Sequence, residues 1–514
     1  MRDLKLSLVL IALALTACGG SDISTDVTSA SAGASGYSGG GSAPITSTVS
    51  GTVSDKAGNP LAGVTVSVFH HNMNTTVTTV TDASGHYSVS GLATVSNADY
   101  AIYAGKQGYG FYPAPGDAAA TVERFDFNGL YRTVMRFAAM PARDVTQANF
   151  TAYGPTDRVV NLPRTGQSSS YAAGDDFARQ TGVPWPGTRF TDNGNGSVTD
   201  NLTGLIWLKN AGCFAAADWS AALADVNQLA SGACGLTDGS TAGQWHMPNA
   251  NELESLVDVS QFSPALTAGH PFTSVDTARA YWSSTTYMAG QSNAMAIRFG
   301  DGRWINGVDP AAVGFNNDKT TSANAVWAVR SGSPGLIRVL ATGVFRGIGG
   351  DRASDAGTDG ALQLGAPLTS PRFIDNGDGT LHDTVSGLTW LKRADCIAST
   401  WGGALSAVNS LASGQCGLTD GSTAGQWRLP NRNELLSLSD RAPTFPQASY
   451  FNGMAQANNT VTGPVIFQSF IVADYYWTST TTASDATQAW TIYSCDFGVY
   501  NIAKGEVHYA LAVR

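Results

Sequence analysis

Apolar and polar side chains begin to alternate at Val49. Val64, Val66 and Val68 are separated by Thr65 and Ser67, the period of two that turns one face of a strand to a core, and Gly58-Asn59-Pro60 punctuates a turn before them. Thr79, Thr81, Tyr87 and Val89 continue that period around an Asp82–Gly85 turn, so residues 46–150 are expected to form an all-β sandwich of short strands. Beyond residue 160 the pattern mixes. Short apolar runs broken by Gly, Asn and Asp (RFTDN, GNG, SVTDN, LTG, LIWLK) read as hairpins. The segment Asp218–Ala230 instead places Trp219, Ala222, Leu223, Val226 and Leu229 on one stripe of a helix that Gly232 stops. A second helix is expected from Asn249, giving an α+β domain.

That α+β pattern occurs twice. Arg189-Phe190-Thr191-Asp192-Asn193-Gly194 recurs 183 residues later as Arg372-Phe373-Ile374-Asp375-Asn376-Gly377. Leu205–Lys209 recurs as Leu388–Lys392, and CGLTDGSTAGQW from Cys234 recurs unchanged from Cys416. Pro248-Asn249-Ala250-Asn251-Glu252-Leu253 matches Pro430-Asn431-Arg432-Asn433-Glu434-Leu435, Tyr281-Trp282-Ser283 matches Tyr476-Trp477-Thr478, and the copies end on Val329-Arg330 and Val513-Arg514. The period is far too long for a solenoid, so these are tandem domains over residues 160–331 and 338–514.

Gly51, Val53, Asp55, Gly58, Pro60, Leu61, Gly63 and Val64, followed by Asp82, Gly85, Tyr87, Gly91 and Leu92, resemble the carboxypeptidase regulatory-like domain. The resemblance implies a transthyretin-like sandwich that serves as a spacer or interaction module, with no peptidase chemistry. His70-His71 point to opposite faces of a strand and form no metal pair. In both copies, the Trp–Pro–Glu-Leu, Tyr-Trp-Ser/Thr-Ser and terminal Val-Arg blocks resemble the C-terminal domain of the Lcl collagen-like adhesin family. That resemblance implies a C-type-lectin-like fold and binding of sulfated glycosaminoglycans in cell attachment.

The first residues, MRDLKLSLVLIALALTACGG, carry Arg2 and Lys5 ahead of an apolar run from Leu6 to Ala17, too short to span a bilayer. Leu15-Thr16-Ala17-Cys18 resembles the lipobox of bacterial lipoproteins. The resemblance implies a signal peptide over residues 1–17, a mature chain beginning at an acylated Cys18, and, with Gly19 next, an outer-membrane, lipid-anchored location. Residues 18–45, rich in Gly, Ser and Ala, build no core and read as a flexible tether.

Charged residues are only 13% of the 514, and 29 Lys+Arg face 39 Asp+Glu, a net charge of −10. A nucleic-acid grip needs a basic footprint and none is present. Residues 189–330 hold 7 basic against 12 acidic side chains, and residues 372–514 hold 8 against 11. A sulfated polyanion would therefore meet net negative modules, which favours glycan or cell-envelope contact in general over sulfated sugars in particular.

Cys213 with Cys234, and Cys396 with Cys416, are in-register pairs that read as disulfides in an oxidising compartment, leaving Cys495 without a counterpart. Asn249 with Glu252 and Asn431 with Glu434 read as capping boxes. Asp192-Asn-Gly and Asp375-Asn-Gly read as hairpin turns, because Gly occupies the third and fifth positions where a calcium loop needs oxygens. No catalytic, metal or cofactor motif is present, and a non-enzymatic binding protein is expected. The alternative is a structural envelope component that binds proteins. The candidate contacts are Trp282 and Trp477 of the Tyr-Trp blocks, then Arg298, Asp301, Arg303 and Trp304 on a late Gly-rich segment. In copy two that segment becomes Tyr493, Asp496, Tyr500 and Asn501, so the two domains are expected to differ in what they bind.

Overall fold

The computed structural model describes residues 46–514 apart from 72, 94–99, 116–120, 128–129, 138–145, 288–289, 307–316, 345–355, 440, 442–466, 472–473 and 495–497. The signal-like segment, Cys18, the tether, Cys495 and Asp496 lie outside the described residues. Among the described residues no helix is long and apolar enough to cross a membrane.

One compact unit ends at Ala152; a second holds residues 153–514 together with 107–112 and 124–132. The first region is all strand: β1 (Thr46–Asp55), β2 (Thr65–His70), β3 (Thr75–Val80), β4 (His86–Ala93), β5 (Tyr100–Gly105), β6 (Gly110–Pro115), β7 (Thr121–Phe127), β8 (Leu130–Phe137) and β9 (Thr146–Tyr153). They form two sheets, ordered β4-β1-β9-β6 and β3-β2-β5-β8-β7. The alternation works as expected, with Val64, Val66 and Val68 buried beside Val49, Val53 and Ile102. The Tyr87 hydroxyl donates to the carbonyl of Ala148 at 2.5 Å, pinning β4 to β9 across β1. His70 is buried against Tyr100 and His71 is exposed, as opposite faces require.

The second unit begins with a one-turn helix α1 (Asp176–Arg179). Copy one then runs β10 (Phe190–Asp192), β11 (Ser197–Asp200), β12 (Ile206–Leu208), α2 (Trp219–Asn227), α3 (Ala250–Ser255), β13 (Ala280–Thr286), β14 (Ala294–Arg298), β15 (Arg303–Asn306) and β16 (Val329–Arg330). A second one-turn helix, α4 (Asp359–Leu362), precedes copy two: β17 (Phe373–Asp375), β18 (Thr380–Asp383), β19 (Thr389–Leu391), β20 (Ile397–Ser399), α5 (Trp401–Asn409), α6 (Arg432–Ser437), β21 (Tyr475–Thr481), β22 (Gln488–Tyr493), β23 (Val499–Ala503) and β24 (His508–Ala510). Copy one builds sheets β10-β11-β12-β16 and β13-β14-β15; copy two builds β17-β18-β19 and β20-β24-β21-β22-β23. The whole is mostly sheet with few, short helices.

The helix stripe holds: Trp219, Ala222, Leu223 and Val226 are buried and Asp218 caps the helix. Asn249 and Asn431 accept from the N3 backbone, while Glu252 and Glu434 reach back to the cap nitrogen, so both capping boxes form. Cys213–Cys234 and Cys396–Cys416 are bonded, each with Cα atoms 5.7 Å apart. The Asp-Asn-Gly segments are hairpin turns. Gly194 N donates to the Asp192 side chain at 3.0 Å, and a Cβ on Gly196 (φ +83°) would sit 2.3 Å from the carbonyl oxygen of Gly235.

The structure departs from the sequence in how the copies divide. The segment before each copy forms an arm, and each arm is seated on the other copy. In arm one, Arg164 N donates to Val183 O and Val183 N to Leu162 O, closing a short loop around α1. Copy two holds it: Thr480 Oγ1 donates to Asp176 at 2.6 Å, Asn433 Nδ2 to Arg164 O at 3.2 Å, and Asn431 Nδ2 to Thr181 Oγ1 at 3.1 Å. Arm two repeats this on copy one. Ala341 N donates to Ala366 O and Ala366 N to Val339 O; Thr285 Oγ1 donates to Asp359 at 2.7 Å, Asn251 Nδ2 to Leu340 O at 3.0 Å, and Asn249 Nδ2 to Leu364 O at 3.4 Å. Thr165 and Thr342 each bond the same aspartate from within the arm, at 2.5 and 2.6 Å. One hydrophobic core, with members from Val198 to Val513, runs through both copies.

Candidate functional site

The polar residues that the copies share are largely consumed by one another. Lys209 pairs with Asp192 at 2.7 Å and Lys392 with Asp375 at 2.5 Å, joining the Leu-Trp-Leu-Lys block to the Asp-Asn-Gly block. The terminal Arg330 reaches Asp238 at 3.0 Å and lies over the Trp245 ring; Arg514 does the same with Asp420, at 3.0 Å, and Trp427. Glu252 faces His246 at 3.2 Å, and Glu434 takes both guanidinium nitrogens of Arg428. The repeated motifs thus hold the fold, and a ligand surface is to be sought where the copies differ.

Several expected contacts are core residues. Trp282 and Trp477 are fully buried, their indole nitrogens donating to the carbonyls of Ala217 and Ser399. Trp304 is buried between the copies, donating to Glu254 at 2.7 Å. None of the three offers a ring face to a ligand, which corrects the expectation for Trp282, Trp304 and Trp477. The reason is sequence-invisible: each indole nitrogen finds its acceptor 50 to 78 positions away along the chain. Arg298, Asp301 and Arg303 do come together, half-buried, with Asp301 bridging both guanidiniums. Although burial pushes the Asp301 carboxyl up, the two arginines bring it below the ordinary value. This trio satisfies itself.

Copy two is different at the same positions. In the strand register, Tyr475 pairs with Tyr493 and Thr491 with Tyr500; in copy one, Ala280 pairs with Arg298 and Ala296 with Ile305. Side chains alternate across the sheet, so Tyr476, Trp490 and Ile492 point into the core while Tyr475, Tyr493 and Tyr500 share the opposite face. The three half-buried phenol rings lie 4.9 to 6.1 Å apart, and His508 from β24 packs edge-on against Tyr475 at 5.2 Å. Asp474 bonds the His508 ring at 2.7 Å, and Glu506 lies 3.5 Å from its other nitrogen. Burial lowers the affinity of His508 for a proton, but the hydrogen bond and charge of Asp474, with Glu506, carry its pKa above the usual value. Asn501, paired with Trp490 and so on the face opposite the tyrosines, donates to Gln488.

Tyr493 and Tyr500 therefore fall within one aromatic face. Tyr475 and His508 escaped notice in the sequence. The signal for Tyr475 was present, since it stands where copy one has Ala280; the signal for His508 was not, because only tertiary pairing brings β24 beside β21. Among the described residues no three His, Cys, Asp or Glu side chains gather as a metal set.

The Lcl C-terminal domain family matches residues 196–330 and 379–514, and the carboxypeptidase regulatory-like domain family matches residues 48–117. No curated protein matches the chain. Among solved structures, similarity is found to 3-chlorocatechol 1,2-dioxygenase from Rhodococcus opacus, at 13% identity over 21% of this chain and 60% of that one, with a TM-score of 0.14. Catechol 1,2-dioxygenase from Pseudomonas arvilla matches at 16% identity over 21% and 54%, TM-score 0.13. A 9R-lipoxygenase from Cyanothece matches at 15% identity over 28% and 23%, TM-score 0.12. The chain thus spans less than two thirds of each, and scores this low carry no argument about fold or chemistry.

Proposed function

The chain belongs to the Lcl C-terminal domain family, and from that membership we propose that it is a lipid-anchored, non-enzymatic adhesion protein of the bacterial outer membrane, whose second copy contacts glycans or cell-envelope material. The observation that carries the reading is the half-buried Tyr475–Tyr493–Tyr500 face of copy two. Tyrosine offers an apolar ring to the C–H face of a sugar and a hydroxyl to its oxygens, and it keeps few rotors to immobilise. Asp474 and Glu506 beside the rings supply acceptors for sugar hydroxyls and discourage a sulfated ligand, in keeping with the net charge of −10. The Leu15–Cys18 lipobox and the tether to residue 45 support a chain held off a membrane surface, with the β-sandwich as spacer.

The test is a glycan array probed with the full chain, at low and high salt and with and without calcium. Saturable binding of neutral glycans supports the proposal, and a preference for sulfated ones would contradict it. A blank array, together with retention of a protein partner, supports the alternative of a structural envelope component.

A further inference from the structure

Strand β3 (Thr75–Val80) ends the sheet β3-β2-β5-β8-β7 and, among the described residues, pairs only with β2. We propose that its open edge is a docking surface for a second molecule of this chain, joined β3 to β3 across a two-fold axis as an antiparallel strand pair. The proposal is independent of the tyrosine face of copy two.

The four outer strands of the sandwich differ in how they are protected. A free strand edge offers unpaired N–H and C=O groups to another chain, and natural sheets guard it with proline, charge or a bulge. β6 carries Pro113 and Pro115. β7 carries Glu123, Arg124 and Asp126. β4 pairs with β1 through a register shift between Ser47 and Val49, and Gly91 within it has φ +78°. β3 has none of these devices. It reads TTVTTV, without charge, proline or glycine, and its register with β2 is unbroken from Thr75 opposite His70 to Val80 opposite Thr65.

The side chains on this edge fix the kind of partner. Val77 is 45% exposed, Val80 58%, and Met73 just before the strand 57%. Of the eight large apolar side chains exposed among the described residues, three thus fall within eight positions at one edge, which marks the edge as a contact. Val77 and Val80 lie three positions apart and so on opposite faces of the strand; an added strand would cover apolar surface on both. Threonine and valine favour the strand conformation, and Thr–Thr and Thr–Val pairs across a seam are stabilising. A charged partner strand would find no counter-charge on β3. A second β3 brings none, so no like charges face each other in antiparallel register. The two-fold pair also consumes both unguarded edges and leaves only guarded ones, so assembly closes at the dimer. A seam of two six-residue strands is a small contact and belongs with the weak interfaces.

Sedimentation velocity of the full chain, from about 1 to 300 μM, reads the association. A reversible dimer is expected, with a dissociation constant of about 10 to 100 μM. Val77→Lys and, separately, Thr78→Lys set like charges along the seam from one face or the other. Each is expected to weaken the dimer about tenfold or more with the thermal midpoint nearly unchanged, because both side chains are exposed. Val77→Lys mixed with Val77→Glu is expected to give a mixed dimer tighter than either variant forms with itself. A monomer over the whole range would overturn the proposal. So would assembly that continues past the dimer, a dimer unchanged by both lysine variants, or a mixture that associates no better than its components.

Discussion

Glu254 of copy one and Arg432 of copy two form an ion pair buried at the junction of the copies, although neither residue has a charged counterpart in the other repeat: the equivalent positions are Leu436 and Ala250. Arg432 also donates to Gly302 O at 2.8 Å and lies over the Trp490 ring, and Glu254 accepts from Trp304. Burial pushes the Glu254 carboxyl up and the Arg432 guanidinium down, each opposed by the other's charge. The pair makes a near-symmetric contact directional. Copy one against copy one would bury unpaired carboxylates, and copy two against copy two unpaired guanidiniums.

Removing one partner should therefore cost far more than removing both. Arg432→Met alone is expected to lower stability by about 3 to 5 kcal/mol, and Glu254→Leu with Arg432→Met by much less, because an unpaired buried charge dominates the single variant. Urea denaturation of wild type, both single variants and the double variant measures the coupling. Additive losses would show that the two side chains act independently.

Asp176 predicts a pH dependence. Burial pushes its carboxyl up to about 6, against the pull of the Thr165 and Thr480 hydroxyls. The folded state thus holds a proton that the unfolded chain has released above about pH 4, so this group's contribution is full below that pH and is lost as pH rises through 6. The loss amounts to about 2 to 3 kcal/mol. Asp176→Asn should flatten this slope between pH 4 and 6.5, measured as the difference in urea stability from wild type; an unchanged slope would place the titration elsewhere.

The exchanged arms predict that the copies stay together when the chain between them is cut. Ser333 and Pro334 are exposed and lie between copy one and arm two. A protease site inserted there in the full chain should yield two fragments that co-elute on gel filtration at micromolar concentration and part only in denaturant. Asn251→Leu with Asn433→Leu, which deletes one of the donors to each arm, should make the cut protein dissociate at lower denaturant. Fragments that elute separately without denaturant would show that arm exchange contributes little.

Local chemistry was readable along the chain, and long-range choice was not. Asp218 before an apolar stripe, Asn249 and Asn431 three residues before glutamate, and paired cysteines around one helix each specify structure within about twenty residues, and each forms. The destination of an arm depends on which copy supplies Thr480 or Thr285, and both supply a hydroxyl, so adjacency in sequence suggested the wrong copy. Trp304 failed as a surface residue for the same reason: its partner Glu254 is fifty positions away. Of the candidate face, Tyr493 and Tyr500 were visible as differences between the repeats, while Tyr475 and His508 needed the sheet register.

The most direct test of the adhesion reading compares affinities for one ligand, the strongest glycan from the array. Tyr475→Ala and Tyr500→Ala in the full chain should each weaken it about tenfold or more with the thermal midpoint shifted by only a few degrees, as expected for a ring that covers a ligand at a half-buried surface. Arg303→Ala, in the self-paired trio of copy one, should leave the affinity unchanged. Unchanged binding by both tyrosine variants, or an equal loss from Arg303→Ala, would contradict the assignment of binding to the aromatic face of copy two.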